Sequence, residues 1–265
     1  MRLTGERPLE GRTPPGLLAL HEAGYREVRT RLGPGRLLDL GCGVGDGTAS
    51  LRGPGREVVG IDYDVVAAAF ANRSRGLTTL CADGARLSVR SGSFDAVCSS
   101  HLIEHFVDPE PHVAELARVL ADDGVVFVIT PNAPADFENP FHVHLFEPRS
   151  LKALLDRHFD AVEIVGLDGD DVVKADFERR RRFARRVLAL DVFGLRHRLG
   201  HRAYVGLHAL ARRVAYPLLA ARDRRRLAGS PRPEIGPDRF SLTPAIDRST
   251  LVLFAIARAP RRVAG

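Results

Sequence analysis

No run of the 265 residues approaches the ~18 consecutive apolar positions that a membrane-spanning helix needs. Stretches such as Val125–Ile129 and Leu251–Ala257 end after a few residues. The opening MRLTGERPLEGRTPPG has no apolar core segment, so no secretory signal is expected. Cysteine is scarce. Cys42, Cys81 and Cys98 form neither a CxxC pair nor an even set, which excludes a zinc ribbon and a disulfide scaffold. A reducing cytoplasm is the expected compartment. Lysine is nearly absent, with Lys152 and Lys174 alone beside 37 arginines. A GC-rich genome produces the same bias, so the clustering of arginine is more informative than its amount. There is no internal repeat.

What is present suits one α/β domain with an elaboration: 45% hydrophobic and 27% charged residues, in a chain long enough to bury a full core. The net charge of +6 hides an asymmetry. Residues 1–170 carry 17 basic and 25 acidic groups, whereas residues 171–265 carry 22 and 8. An acidic body thus precedes a strongly basic tail.

Apolar periodicity predicts an amphipathic helix over 14–32, stopped by Gly33-Pro34-Gly35. Short apolar strands then alternate with helices: strands at 36–40, 57–61, 77–81, 94–99, 125–130 and 162–167, and helices near 47–51, 65–73, 111–120 and 148–157. A final strand is expected at 250–257, with 240–242 as a start of its hairpin. Strands of this kind, with little alternation, belong to a sheet covered on both faces. The expected fold is therefore Rossmann-like: a doubly wound, mostly parallel, seven-stranded sheet with an N-terminal helix and a helical insert before the last strand. Four segments follow: an N-terminal helical extension (1–35), the core (36–170), an arginine-rich helical insert (171–237) and the closing strands (238–265).

The first strand runs into Gly41-Cys42-Gly43-Val44-Gly45-Asp46-Gly47 at a helix start. Glycines remove the Cβ atoms that would collide with a ligand, and the helix N-terminus offers free N–H groups. Against the dinucleotide fingerprint G-x-G-x-x-G, the third glycine falls on Asp46, so NAD or FAD is the weaker reading. Asp62 ends the second strand, where a carboxylate can accept both hydroxyls of a ribose. Asp83, just past the third strand, can accept from an adenine amino group.

These segments (LLDLGCGVGDGT, VVGIDYD, LCADGARL and FDAVCSSHLIEHFVDPEPHVAELARVLADDGVVFVITPN) resemble the successive motifs of class I S-adenosylmethionine (SAM) methyltransferases. The small-molecule type that includes ubiquinone-pathway enzymes is the nearest variety. The resemblance covers residues 36–167 and the final strand. It implies that Asp39, Gly41 and Gly43 flank the methionine part of SAM, and that Asp62 holds the ribose. It also implies that Tyr63 packs near the adenine, Asp83 meets its amino group and Ser99 lies beside the sulfonium.

Methyl transfer to a hydroxyl needs alignment and the removal of a proton. Two segments offer a base. In Ser99-Ser100-His101-Leu102-Ile103-Glu104-His105, residues 101 and 105 share a face of one turn, with Glu104 beside them. The resemblance implies a divalent ion held there by two glutamates and a histidine. His101 replaces the first glutamate, while Glu104 and His105 match. The second segment is Asn139-Pro140-Phe141-His142-Val143-His144, whose His142 and His144 suit a lid over an acceptor. That stretch is similar to methyltransferases encoded with sugar-modifying and cell-surface enzymes. The expected activity is O-methylation of a small molecule or glycan, such as a mycofactocin-type oligosaccharide. The alternatives are a quinone or secondary-metabolite methyltransferase, or a SAM-binding protein that has lost catalysis.

From Lys174 to Arg226 there are 16 basic and 4 acidic residues, interleaved with apolar ones. Such a segment is either a solvated helical face or a contact for an anionic membrane or lipid-linked acceptor. Nucleic acid ranks last, because base-stacking aromatics are sparse there and no RNA-binding module accompanies it.

Overall fold

The computed structural model describes residues 13–136, 142–188 and 234–262, with the side chains of the last helix in the middle segment described to Arg182. Its elements are α1 (Pro15–Arg29), β1 (Gly35–Leu40), α2 (Asp46–Ser50), β2 (Arg56–Asp62), α3 (Val65–Arg75), β3 (Thr78–Cys81) and β4 (Phe94–Ser100). They are followed by a short 3-10 turn (Ile103–His105), α4 (Glu110–Val119), β5 (Leu120–Pro131), α5 (Pro148–Leu155), β6 (Phe159–Gly169), α6 (Asp171–Leu188), β7 (Phe240–Thr243) and β8 (Val252–Pro260).

All the strands join one sheet in the order β3-β2-β1-β4-β5-β8-β6-β7. Pairing is parallel from β3 to β5, and β8 inserts antiparallel between β5 and β6. The mostly parallel α/β architecture is the expected one. Among the described residues the sheet has eight strands where seven were expected, because Phe240–Thr243 pairs antiparallel with β6 rather than with the closing strand. Phe240 is 1% exposed, and burying that ring fixes the extra edge strand.

Burial on both faces explains the apolar strands. One core layer gathers Leu38, Leu40, Val97, Val126 and Val128 with α4 and α5. The other gathers Leu37, Cys98, Phe127, Ile129 and Phe254 with α1. Helix α5 starts with a capping box between Glu147 and Ser150, and α3 with Asp64 accepting from Val66 N–H at 2.9 Å. Strand β6 is longer than the expected 162–167, and α6 starts at Asp171. The expected helical stretch beyond Leu188, with the 229–237 linker, lies largely outside the described residues.

Strand order reverses between β1 and β4, one leading to β2 and the other to β5. Open α/β sheets bind ligands at such a switch point, beyond the carboxyl ends of the strands. The glycine loop, Asp62, Ser99 and His101 all lie at those ends.

Candidate active site

The loop after β1 is built on left-handed backbone, with φ of 78° at Gly41, 55° at Gly43 and 88° at Gly45. Gly45 is the residue before α2, and a Cβ there would stand 2.7 Å from Leu77 and 2.8 Å from Ala71. No other residue type fits this turn. Asp62 closes the loop. Its Oδ2 accepts from Gly43 N–H at 2.8 Å and its Oδ1 from Asp64 N–H at 2.9 Å. The carboxylate is 4% exposed and held in one orientation at the edge of the crevice.

Asp39 is fully buried. It accepts from Thr48 Oγ1 at 2.6 Å and from the Tyr25 hydroxyl at 3.2 Å, tying α1 and α2 to β1. Burial pushes its carboxyl up to about 6, against the lowering hydrogen bonds from Thr48 and Tyr25. Tyr63 is 58% exposed, and Asp83 is exposed with its Oδ1 accepting from Ala85 N–H.

Ser99, 0% exposed, lies 3.0 Å from His112 Nε2 through its hydroxyl, and His112 Nδ1 lies 2.9 Å from the Gly84 carbonyl. A carbonyl only accepts, so Nδ1 carries the proton and Nε2 accepts from Ser99. Burial lowers the His112 pKa to about 4, against the raising bond to Gly84, so the ring is neutral. Because that value lies below the ordinary 6.5, the folded state binds fewer protons than the unfolded one. Folding stability therefore falls as pH drops from about 6.5 towards 4, by on the order of 3 kcal/mol for this group. Urea unfolding of His112→Gln is expected to show a flatter loss across that window than the native protein. Asp39, present in both, contributes with the opposite sign and cancels in the comparison.

The second half of the site surrounds Glu104, a carboxylate 1% exposed. Thr130 Oγ1 donates to its Oε2 at 3.1 Å. Its Oε1 faces His101 Nδ1 at 3.5 Å and His142 Nε2 at 3.8 Å. Burial alone would raise the Glu104 pKa. The approach of the His101 ring and the fields of His101, His142 and His105 outweigh it and hold the group at about 2. His101 sits on left-handed backbone with φ of 51°, its N–H bonded to the Ile129 carbonyl at 2.7 Å. Its Nε2 is buried and has no hydrogen-bond partner among the described residues. The His21 ring, from α1, lies 4.1 Å from the His101 ring at a 45° tilt. Burial and the neighbouring His101 keep His21 well below its ordinary pKa.

His142 Nδ1 bonds Asp136 Oδ2 at 2.7 Å. Burial lowers its pKa, but Asp136 and Glu104 more than offset this, and His142 holds its proton more firmly than a free histidine. His144 is set apart, stacked on Phe146 at 4.5 Å, with its backbone N–H on the Glu104 carbonyl. Of the three candidate bases, then, His101 and His142 converge on Glu104, while the His144 ring stacks elsewhere. Glu104, His105 and His142 place ligand-type atoms within 4.8 Å of one another. One buried carboxylate with two imidazoles fits a borderline divalent ion better than a hard one such as Mg²⁺, which favours oxygen donors.

Sequence reasoning missed Tyr25, His21, Thr48, His112, Thr130 and Asp136. Two signals were available. His21 and Tyr25 are four apart on one face of α1, and His112 shares the stripe of α4 that holds Val113 and Leu116.

A family model described as a methyltransferase domain matches residues 38–128. A probable SAM-dependent methyltransferase of Mycolicibacterium smegmatis is 30% identical over 97% of this chain and 95% of its own length. The chain belongs to the SAM-dependent methyltransferases. SAM is accordingly the methyltransferase's cosubstrate. A ubiquinone biosynthesis O-methyltransferase of Xanthomonas oryzae is 33% identical, over 43% of this methyltransferase and half of its own length. A solved SAM-dependent methyltransferase of Thermotoga maritima, described as a possible histamine N-methyltransferase, superposes with a TM-score of 0.56. It is 14% identical over 91% of this chain and 92% of its own, which speaks to the fold alone. Among the described residues, no helix of the methyltransferase is long and apolar enough to cross a membrane.

Proposed function

We propose that the methyltransferase O-methylates a hydroxyl of a small molecule or glycan, in the cytoplasm, with His101 as the general base. A mycofactocin-type oligosaccharide is one acceptor of the required chemistry. The observation that carries this reading is the buried Nε2 of His101, without a partner among the described residues, whose Nδ1 faces an ionised glutamate. With its Nδ1–H directed at Glu104, His101 presents the Nε2 lone pair to the acceptor hydroxyl. As the acceptor oxygen attacks the methyl carbon, the carbon–sulfur bond breaks and its electrons stay on sulfur. The hydroxyl proton passes to Nε2. Glu104, anchored by Thr130, stabilises the resulting imidazolium. His142 is the poorer base, because its Nδ1 is already engaged by Asp136 at 2.7 Å, and Asp136 and Glu104 raise its pKa.

In this reading Asp62 receives the ribose hydroxyls, and the loop from Asp39 through Gly41 to Gly43 carries the methionine part. Tyr63 and Asp83 flank the adenine, and Ser99 lies beside the sulfonium. If a divalent ion binds, Glu104, His105 and His142 would hold it, and it would lower the pKa of an acceptor hydroxyl. A quinol acceptor is the second reading, favoured by the similarity to the ubiquinone biosynthesis enzyme.

The test is a screen of sugars, quinols and phenols for acceptor-dependent release of S-adenosylhomocysteine (SAH). Turnover with a sugar supports the first reading, and turnover with a quinol alone the second. Binding of SAM without turnover on any class would leave a SAM-binding protein that has lost catalysis.

Helix α6 touches the acceptor side, since Arg181 donates to the Pro134 carbonyl in the turn that leads to Asp136. Arg179 pairs with Asp176 at 2.6 Å, and Arg180 and Arg181 reach Asp176 and Glu178 only at 3.9 and 4.0 Å. These pairs are partly exposed and the longer two are loosely made, so they add little stability. Neutralising Arg179–Arg182 is therefore expected to leave folding and SAM affinity intact, while raising KM for an anionic or lipid-linked acceptor at low salt. Unchanged acceptor kinetics, together with unchanged sedimentation on anionic liposomes, would leave these arginines as a solvated face.

A further inference from the structure

His112 joins two parts of the molecule that are distant in sequence. It sits in the first turn of α4, is 0% exposed, and stacks on Phe106 at 4.7 Å and 17°. One ring nitrogen reaches Gly84, next to Asp83, and the other reaches Ser99 at the end of β4. Gly84 packs closely against this ring, since a Cβ there would stand 3.4 Å from His112 Nδ1 and from Phe106.

The direction of the two hydrogen bonds has a consequence. The Gly84 carbonyl fixes the tautomer, so His112 Nε2 can only accept, and the Ser99 hydroxyl must donate to it. Ser99 thereby spends its one hydrogen on His112 and keeps only lone pairs for other neighbours. The start of α4 reinforces this state, because a helix N-terminus disfavours a protonated imidazole.

We propose that His112 is a positioning residue for the cosubstrate: it fixes the Ser99 hydroxyl as an obligate acceptor facing the sulfonium, and so favours cationic SAM over neutral SAH. The inference rests on the reading that the SAM sulfonium lies beside Ser99. A site that prefers the charged substrate to its neutral product limits product inhibition. The same ring ties the adenine end of the crevice to the methyl end, through Gly84.

Two substitutions separate the two contacts. Asparagine keeps an amide near the Nδ1 position, so His112→Asn retains a donor for Gly84 and releases Ser99. Glutamine reaches the Nε2 position with an oxygen that can accept from Ser99, so His112→Gln retains that bond and loosens Gly84. Calorimetric Kd values for SAM and for SAH are measured on the native protein, both variants and Ser99→Ala. For His112→Asn and Ser99→Ala, the SAM-over-SAH preference is expected to fall about tenfold, the scale of one hydrogen-bond acceptor lost to a cation. For His112→Gln, both ligands are expected to weaken alike, with the preference retained. In the Ser99→Ala background, His112→Asn is expected to change the preference no further.

A preference that stays native-like in both His112→Asn and Ser99→Ala overturns the inference while leaving the cosubstrate site standing. A native protein that binds neither SAM nor SAH overturns the site itself. Should His112→Asn fail to fold, Ser99→Ala decides alone, because it removes the hydroxyl without touching the α4 contact.

Discussion

Replacing His101 with alanine is expected to lower kcat by roughly 10²–10⁴-fold and to leave SAM affinity nearly unchanged. The reason is geometric. Among the candidate bases, His101 has a buried nitrogen without a partner among the described residues, and its other nitrogen is directed at an ionised carboxylate. His142→Ala is expected to act differently. It removes a ring whose Nδ1 is bonded to Asp136 at 2.7 Å, so the change belongs mainly to acceptor KM. Glu104→Gln is expected to follow His101→Ala in kcat, because an amide stabilises an imidazolium far less than a carboxylate does. Single-turnover methyl transfer, with SAM binding measured separately, distinguishes these outcomes. Activity is expected to survive EDTA. Abolition by EDTA with restoration by a divalent ion would instead place an ion at Glu104, His105 and His142. Full activity in His101→Ala would remove this residue from the mechanism.

The second large effect concerns Asp62. Its substitution by alanine is expected to weaken SAM and SAH alike by about 1.5–3 kcal/mol, since the ribose hydroxyls lose a charged acceptor. That corresponds to roughly a 10- to 150-fold rise in Kd. The structure adds a cause beyond the ligand contact. Asp62 also holds Gly43 N–H at 2.8 Å, so the variant releases the glycine loop from its preformed shape. Asp62→Asn keeps an acceptor oxygen and is expected to lose less than alanine does. Calorimetry with SAM, SAH and NADH checks this directly. Tight NADH binding with no SAM binding would overturn the cosubstrate assignment.

The sheet was legible because each strand signals itself locally. Leu37–Leu40, Val58–Ile61 and Val125–Ile129 are short runs, apolar apart from Asp39 and Gly60, and burial on both faces leaves no other use for them. The carboxylates at the strand ends were legible for the same reason: Asp62 follows its strand at a spacing that a parallel sheet turns into proximity. The extra strand Phe240–Thr243 was harder. Four residues carry little pattern, and their partner, Gly166–Gly169, is fixed by a long-range pairing.

The acceptor side was only half legible. His101, Glu104 and His142 stood out as residues, but the partners that give them roles come from elsewhere in the chain. Thr130 lies one residue before the end of β5, Asp136 precedes the lid segment, and His21 arrives on an N-terminal helix that nothing local docks onto β4. Such contacts arise when α1 packs on Ile129 and Leu167, a tertiary event without a sequence period. The arginines of α6 show the converse. Their number suggested a free basic face, yet three of the first four have acidic neighbours on their own helix within 4.0 Å.

The most direct measurement follows the methyl group itself. The protein is incubated with SAM carrying a ¹³C-labelled methyl and with the acceptor that supports SAH release, and the product is read by carbon NMR. One SAH per labelled methyl and a single methyl ether are expected, formed in the native protein and lost in His101→Ala. A label found on nitrogen or carbon, or the same ether formed at the native rate without His101, would contradict O-methylation with His101 as the base.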